Sequence, residues 1–157
     1  MEAVSGWKSR KKKEGFGTAI TECFGTTVGQ VVKVSKEANG KIKIDKVWAV
    51  VDCGWYVNPD TIKAQVEGSV VMALGAATIH EITFKDGMTE QKNFYAYKAC
   101  INDIPPTVIY IMENDADAGA GGVGEPGLPP FAPAFTNAIF DLTGKQIRKM
   151  PFSLDAV

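Results

Sequence analysis

Between residues 121 and 130 the chain reads Gly-Gly-Val-Gly-Glu-Pro-Gly-Leu-Pro-Pro, and no regular element can run through it. Glycine permits positive φ and close approach of backbone, while proline fixes φ and lacks the N–H that a helix or sheet needs. The stretch has to be a loop, one that can be rigid without secondary structure. It carries one carboxylate, Glu125, and no lysine or arginine occurs between Lys98 and Lys145. A carboxylate kept from cations in an apolar, backbone-lined pocket has its pKa raised and becomes a candidate general base. The plain alternative is a connector with Glu125 in solvent.

The elements around this loop can be read in order. Thr18 to Phe24 and Val28 to Val34 have strand composition, and Ala38-Asn39-Gly40 carries a hairpin signal. Ile42 and Ile44 alternate with polar residues, after which the apolar set shifts to Val47, Ala49 and Val51. That change of phase at Asp45-Lys46 predicts a bulge or a move from edge to interior, within an antiparallel meander. Asn58 suits a helix cap and Pro59 the first helical position. Ile62, Val66, Val70 and Leu74 then share one apolar face, predicting a helix over about 59–78. Gly68, Ala73, Gly75, Ala76 and Ala77 are small enough for a strand or ligand to approach, while Gln65 and Glu67 have the ordinary reading of a solvent face.

Beyond this helix, Glu81 to Phe84 is expected as a strand, Asp86-Gly87 as a turn and Met88 to Tyr97 as a polar return. Thr107 to Met112 is expected as a strong strand after Pro105-Pro106. A final helix over about 130–143 presents Phe131, Phe135, Ile139 and Leu142, with Gly144 as its terminating residue. Ile147 to Phe152 is a candidate last strand. These elements make an α+β fold, a mostly antiparallel sheet with two main helices.

Composition excludes several classes. Seventeen basic and 18 acidic residues give a net charge of −1, with no global pull towards nucleic acid or anionic membrane. The run Lys8 to Lys13 is short and near a terminus, so residues 1–14 are expected as a flexible basic leader and not a phosphate-binding arm. No apolar run reaches the roughly 18 residues a membrane span needs, and no signal-peptide core opens the chain. Cys23, Cys53 and Cys100 suit neither a zinc site nor a disulfide framework and read as buried thiols. His80 is the lone histidine, which removes two-histidine metal sites. Gly119-Ala120-Gly121-Gly122-Val123-Gly124 matches GxGxxG in letters only. A dinucleotide site needs a strand directly before that motif and a helix opening within it, and Pro126, Pro129 and Pro130 forbid the helix.

Gly122-Val123-Gly124-Glu125-Pro126-Gly127-Leu128-Pro129-Pro130, with Ala132-Pro133-Ala134 and Asn137-Ala138-Ile139 after it, resembles the C-terminal end of the molybdenum-binding subunit in the xanthine oxidase family of molybdenum hydroxylases. The likeness is in particular to the large (beta) subunit of isoquinoline 1-oxidoreductase and to related aldehyde oxidoreductases. Val51-Asp52-Cys53-Gly54, Val57-Asn58-Pro59, Gln65-Val66-Glu67-Gly68, Glu81-Ile82-Thr83, Gln91-Lys92-Asn93-Phe94 and Thr143-Gly144-Lys145 follow in the same order. Lys98 departs from the pattern, standing where proline is expected after tyrosine.

The resemblance implies that residues 15–157 are a C-terminal fragment of a molybdopterin-binding domain. It implies hydroxylation of an N-heteroaromatic ring or an aldehyde carbon with water. Glu125 corresponds to the family's general base, and Gln65, Gly122, Val123 and Gly124 to positions beside the cofactor. Molybdenum is held by the pterin, in the cytosine dinucleotide form, so no protein metal ligand is expected. The partners implied are the remaining part of the molybdenum-binding subunit, an iron–sulfur subunit and a small aromatic or aldehyde substrate, with no nucleic acid and no membrane span. The family subunit is several times longer, so the isolated fragment is expected to hold no cofactor and to be inactive. A non-catalytic scaffold domain keeping the same fold is the alternative.

Overall fold

A computed structural model describes residues 1–98, 102 and 104–155. Its centre is a four-stranded sheet in the order β1-β2-β3-β6, built from β1 (Gly15–Cys23), β2 (Thr26–Lys36), β3 (Ile42–Asp52) and β6 (Thr107–Ile111). The first two pairings are antiparallel, as the meander pattern requires, while β6 lies parallel to β3. A parallel neighbour needs a crossover, and α2 (Pro59–Thr78) supplies its helix.

The bulge falls where the apolar phase changes. Lys33 pairs with Lys46 and Val34 with Ile44, so Asp45 is the extra residue. Its carboxylate accepts a bond from the Ser35 hydroxyl at 2.8 Å. The extra residue turns Ile42 and Ile44 to the same face as Val47, Ala49 and Val51.

Both long helices cover that face. Asn58 caps α2 by accepting the Asp60 N–H at 2.9 Å, and Ile62, Val66, Val70 and Leu74 are all buried. The second long helix, α3 (Phe131–Thr143), buries Phe131, Phe135 and Ile139, and ends at Gly144 with φ 72°. One apolar cluster joins Val32, Val34, Val47, Val70 and Phe135; a second joins Val28, Val51, Cys53, Ile62 and Val66. Among the described residues no helix is long and apolar enough to cross a membrane.

Helix α3 also serves the free edge of β1. Asp141 accepts the Phe16 N–H at 3.0 Å and Asn137 donates to the Thr18 carbonyl at 3.2 Å, satisfying groups that an edge strand leaves open. Residues 1–14 form a short helix α1 (Glu2–Ser5) and a 3-10 turn at Trp7–Ser9. Arg10 reaches Asp141 at 3.1 Å and Glu14 pairs with Lys33 at 2.8 Å. The hydrogen bond from Lys33, and then the Lys11 backbone N–H, hold the Glu14 carboxyl below its ordinary range. A depressed carboxyl pKa adds stability above the unfolded value of about 4.3, and that stability is lost as pH falls through the folded value. Between pH 7 and pH 3 the thermal midpoint of the wild type is therefore expected to fall further than that of Glu14→Gln. Equal falls would show that the pair adds nothing.

Two expected strands differ. Only Phe84–Lys85 (β4) and Met88–Thr89 (β5) pair, across Asp86-Gly87, in place of a strand over Glu81–Phe84. The Thr83 carbonyl still accepts the Glu90 N–H at 2.9 Å, but the Thr83 N–H donates to the Gln91 side chain at 2.7 Å and its hydroxyl to Glu90 at 2.6 Å, so side-chain bonds take the place of further ladder bonds. Ile147 to Phe152 is no strand either. Pro151 brings no N–H, the Phe152 N–H donates to Ala77 at 3.0 Å, and the Leu154 carbonyl accepts from Ile42 at 3.1 Å, so this segment ties the end of α2 to the start of β3. Of the cysteines, Cys53 is buried and Cys23 half-buried, and Cys100 lies outside the described residues.

The small residues of α2 divide in role. Gly75 lies against the His80 ring, whereas a side chain on Gly68 would meet nothing within 4 Å. Gly68→Ala is accordingly expected to stabilise the chain by about 0.5–1 kcal/mol, the helix-interior difference between the two residues. Denaturant unfolding checks this, and a loss of stability would reveal a neighbour at that face.

Candidate functional site

The glycine loop is seated by four parts of the fold. At its start, Ala120 bridges Gly54, and the Gly121 N–H donates to the Cys53 carbonyl at 2.9 Å. The Gly122 N–H donates to Phe24 at 2.8 Å, in the turn between β1 and β2. Further along, Gly127 rests on α2, where a Cβ would stand 3.0 Å from that of Ser69. From below, Gln30 of β2 donates its Nε2 to the Gly127 carbonyl at 2.7 Å. The loop then closes a turn, Leu128 N–H to the Glu125 carbonyl at 2.9 Å, and enters α3.

None of the glycines from Gly119 to Gly127 has positive φ, so close approach is what the loop takes from them. A Cβ on Gly121 would collide with the Thr26 hydroxyl and the Gly25 carbonyl, and one on Gly122 would stand 3.1 Å from that of Phe24. The helix that a dinucleotide motif requires does not open here; α3 starts only at Phe131.

This seating brings the candidate residues together. Gln65 projects from α2 with its amide nitrogen 3.8 Å from where a Cβ on Gly124 would be. Val123 packs half-buried on the second apolar cluster. Pro126 and Gly127 are buried, while Gly122, Gly124 and Glu125 are exposed. The Glu125 carboxylate forms no ion pair or side-chain hydrogen bond among the described residues, and these residues do not enclose it in an apolar pocket. The reason is geometric: the turn that buries Pro126 and Gly127 points the preceding side chain outward. Beside the loop, Cys53, Trp55, Val57, Thr61, Ile62 and Val123 line a groove of about 340 Å³. Burial pushes the Cys53 thiol up from its ordinary pKa, so it stays protonated at neutral pH.

Thr26 and Gln30 are fully buried polar residues under the loop that the sequence reading did not single out. The signal was available: Gln30 interrupts Val28-Gly29-Gln30-Val31-Val32, a run whose other side chains are all valine.

Among the described residues no group of three His, Cys, Asp or Glu could hold a metal ion. The exposed face of the loop offers other chemistry. No backbone bond among the described residues engages the N–H groups of Val123, Gly124 and Glu125. With the Gln65 amide near Gly124, and no side chain on Gly122 or Gly124, the loop is a cradle of unengaged donors. It fits an acceptor-rich group that brings its own metal ligands.

The profile of the molybdopterin cofactor-binding domain matches residues 2–105. The chain is 29% identical over 154 residues to isoquinoline 1-oxidoreductase subunit beta of Brevundimonas diminuta, covering 94% of this chain and 20% of that protein. It is 32% identical over 164 residues to the aldehyde oxidoreductase molybdenum-binding subunit PaoC of Escherichia coli, covering 98% of this chain and 22% of that one. It therefore spans about a fifth of the length of these curated relatives. Among solved structures, the aldehyde oxidoreductase of Desulfovibrio gigas superposes with a TM-score of 0.66 at 25% identity, over 80% of this chain and 14% of that one. CO dehydrogenase of Oligotropha carboxidovorans shares the fold, with a TM-score of 0.67 at 24% identity over 80% of this chain and 17% of that one. With the profile matched across residues 2–105, the chain belongs to the molybdopterin cofactor-binding domain family.

Proposed function

We propose that this chain is the base-bearing part of a molybdenum hydroxylase, an oxidoreductase that hydroxylates an N-heteroaromatic ring or an aldehyde carbon with water. The observation that carries the reading is the seating of Glu125: a carboxylate with no ion-pair partner among the described residues, on a loop held by four parts of the fold, next to the donor cradle.

Molybdopterin, when bound, supplies the centre for a two-electron oxidation. The chain's own residues do the rest. Gln65 and the N–H groups of Val123 and Gly124 hold the cofactor's acceptor atoms, and Gly122 and Gly124 keep side chains out of the way. Hydroxylating a carbon with water releases two electrons and two protons. Glu125 takes one of those protons on a carboxylate oxygen, which requires it to be ionised before the step. The electrons pass to an iron–sulfur subunit.

The cytosine dinucleotide form of the cofactor is carried over from the resemblance to the isoquinoline and aldehyde oxidoreductases, and nucleotide analysis of acid-released cofactor tests it. The cradle is open on one side, so the remaining part of the molybdenum-binding subunit has to supply the wall that dehydrates Glu125. The chain alone is expected to be inactive.

The exposure of Glu125 favours one second reading, a scaffold domain that keeps the fold without the chemistry. Turnover of Glu125→Gln in the complete enzyme, at equal molybdenum content, separates the two. A large loss supports the base, and wild-type turnover supports the scaffold.

A further inference from the structure

Strand β2 presents Thr26, Val28, Gln30, Val32 and Val34 to the face that the helices cover. Gln30 is 0% exposed and lies between Val28 of one apolar cluster and Val32 of the other. Its cross-strand neighbours are Ala19 on β1 and Ala49 on β3, which leave room for a long amide to stand up from the sheet. The amide reaches the Gly127 carbonyl across 97 positions of sequence. A carbonyl only accepts, so the contacting atom has to be the NH₂ group and the amide orientation is fixed. Its Oε1 is buried and has no partner among the described residues.

A buried amide with an unmet acceptor stabilises a core less than an aliphatic side chain of the same volume. What Gln30 provides instead is one fixed point under the loop. Gly127 lies inside the turn that the Leu128 N–H closes on the Glu125 carbonyl, so the tie acts two residues from Glu125. Thr26 lies under Gly121 on the same face of the strand, four residues or about 13 Å away. One strand thus supports the loop near both ends, with Glu125 between the supports.

We propose that Gln30 is a positioning residue for Glu125, setting the height of the loop above the sheet through the Gly127 carbonyl. The proposal rests on the reading of Glu125 as the base. It is tested with Gln30→Met, which keeps length and volume and removes the donor. Hydrogen exchange of the bonded loop amides of Gly121, Gly122 and Leu128 is expected to be about tenfold faster than in the wild type, with the amides of β2 and β3 unchanged. In the complete enzyme kcat is expected to fall about 10- to 100-fold at unchanged molybdenum content, with KM within about twofold, because misplacing a reacting group by roughly 1 Å has that effect on the chemical step. Should Gln30→Met not fold, Gln30→Asn keeps the amide one methylene too short and is expected to give the same pattern. Unchanged exchange in the loop, or faster exchange spread equally over β2 and β3, would overturn the tie and leave the base reading standing. Wild-type turnover in Glu125→Gln would instead overturn the base reading, and with it the catalytic purpose of the tie.

Discussion

Glu125→Gln is expected to lower the hydroxylation rate of the complete enzyme about 10²- to 10⁴-fold, the range for removing a positioned general base. That is roughly 3–5 kcal/mol of transition-state stabilisation. Glutamine keeps the length and the hydrogen-bonding tip and removes only the capacity to accept the proton as an anion. The turn from Glu125 to Leu128 and the Gln30 tie use backbone atoms of the loop, so the substitution leaves the seating intact. Molybdenum content is expected to match the wild type and KM to change little. Glu125→Asp draws the carboxylate back by about one methylene and is expected to recover part of the rate, since distance and basicity then fail separately. Loss of metal together with rate would mean that Glu125 holds the cofactor, and full rate would remove the base.

The second large effect is structural. Gly17→Ala is expected to destabilise the chain by about 3 kcal/mol, the upper part of the range for overpacking a close contact. For a chain of this length that lowers the thermal midpoint by about 6–12 °C. Strand β1 carries Gly15 and Gly17 beneath α3, and a Cβ on Gly17 would collide with the backbone of Ala134 and Ala138. Backbone atoms of a helix cannot step aside as a side-chain tip does, so the helix has to lift. Lifting α3 also strains the Asp141 bond to the Phe16 N–H and the Asn137 bond to the Thr18 carbonyl. The helix continues directly from the glycine loop, so the complete enzyme is expected to lose rate along with stability. Differential scanning calorimetry reads the first effect and turnover the second. A midpoint within about 2 °C of the wild type would mean that α3 does not rest on β1 as closely as described.

Much of this architecture was legible because it is written in local rules. Asn58 before Pro59, the apolar row from Ile62 to Leu74 and the terminating Gly144 specify two helices through capping, spacing and a positive-φ requirement. The shift from Ile44 to Val47 announced the bulge at Asp45, because strand side chains alternate and only an extra residue keeps both sets on one face. Glu125 and its loop stood out for the same reason: residues that forbid regular structure surround one carboxylate. The segments over 81–84 and 147–152 misled because short apolar runs resemble strands until the partners of their N–H groups are known.

By itself, then, the sequence determined the three long strands, the two long helices, their apolar faces and the loop that must lie between β6 and α3. Tertiary structure alone decided that β6 runs parallel to β3, that Gln65 comes beside Gly124, that Glu125 leaves the surface unenclosed, and that Gln30 supports the loop from under Gly127. The division is physical. Element type follows from torsions and periodicities among residues a few positions apart, whereas a hydrogen bond between residues 30 and 127 exists only once the sheet and two helices have closed around it.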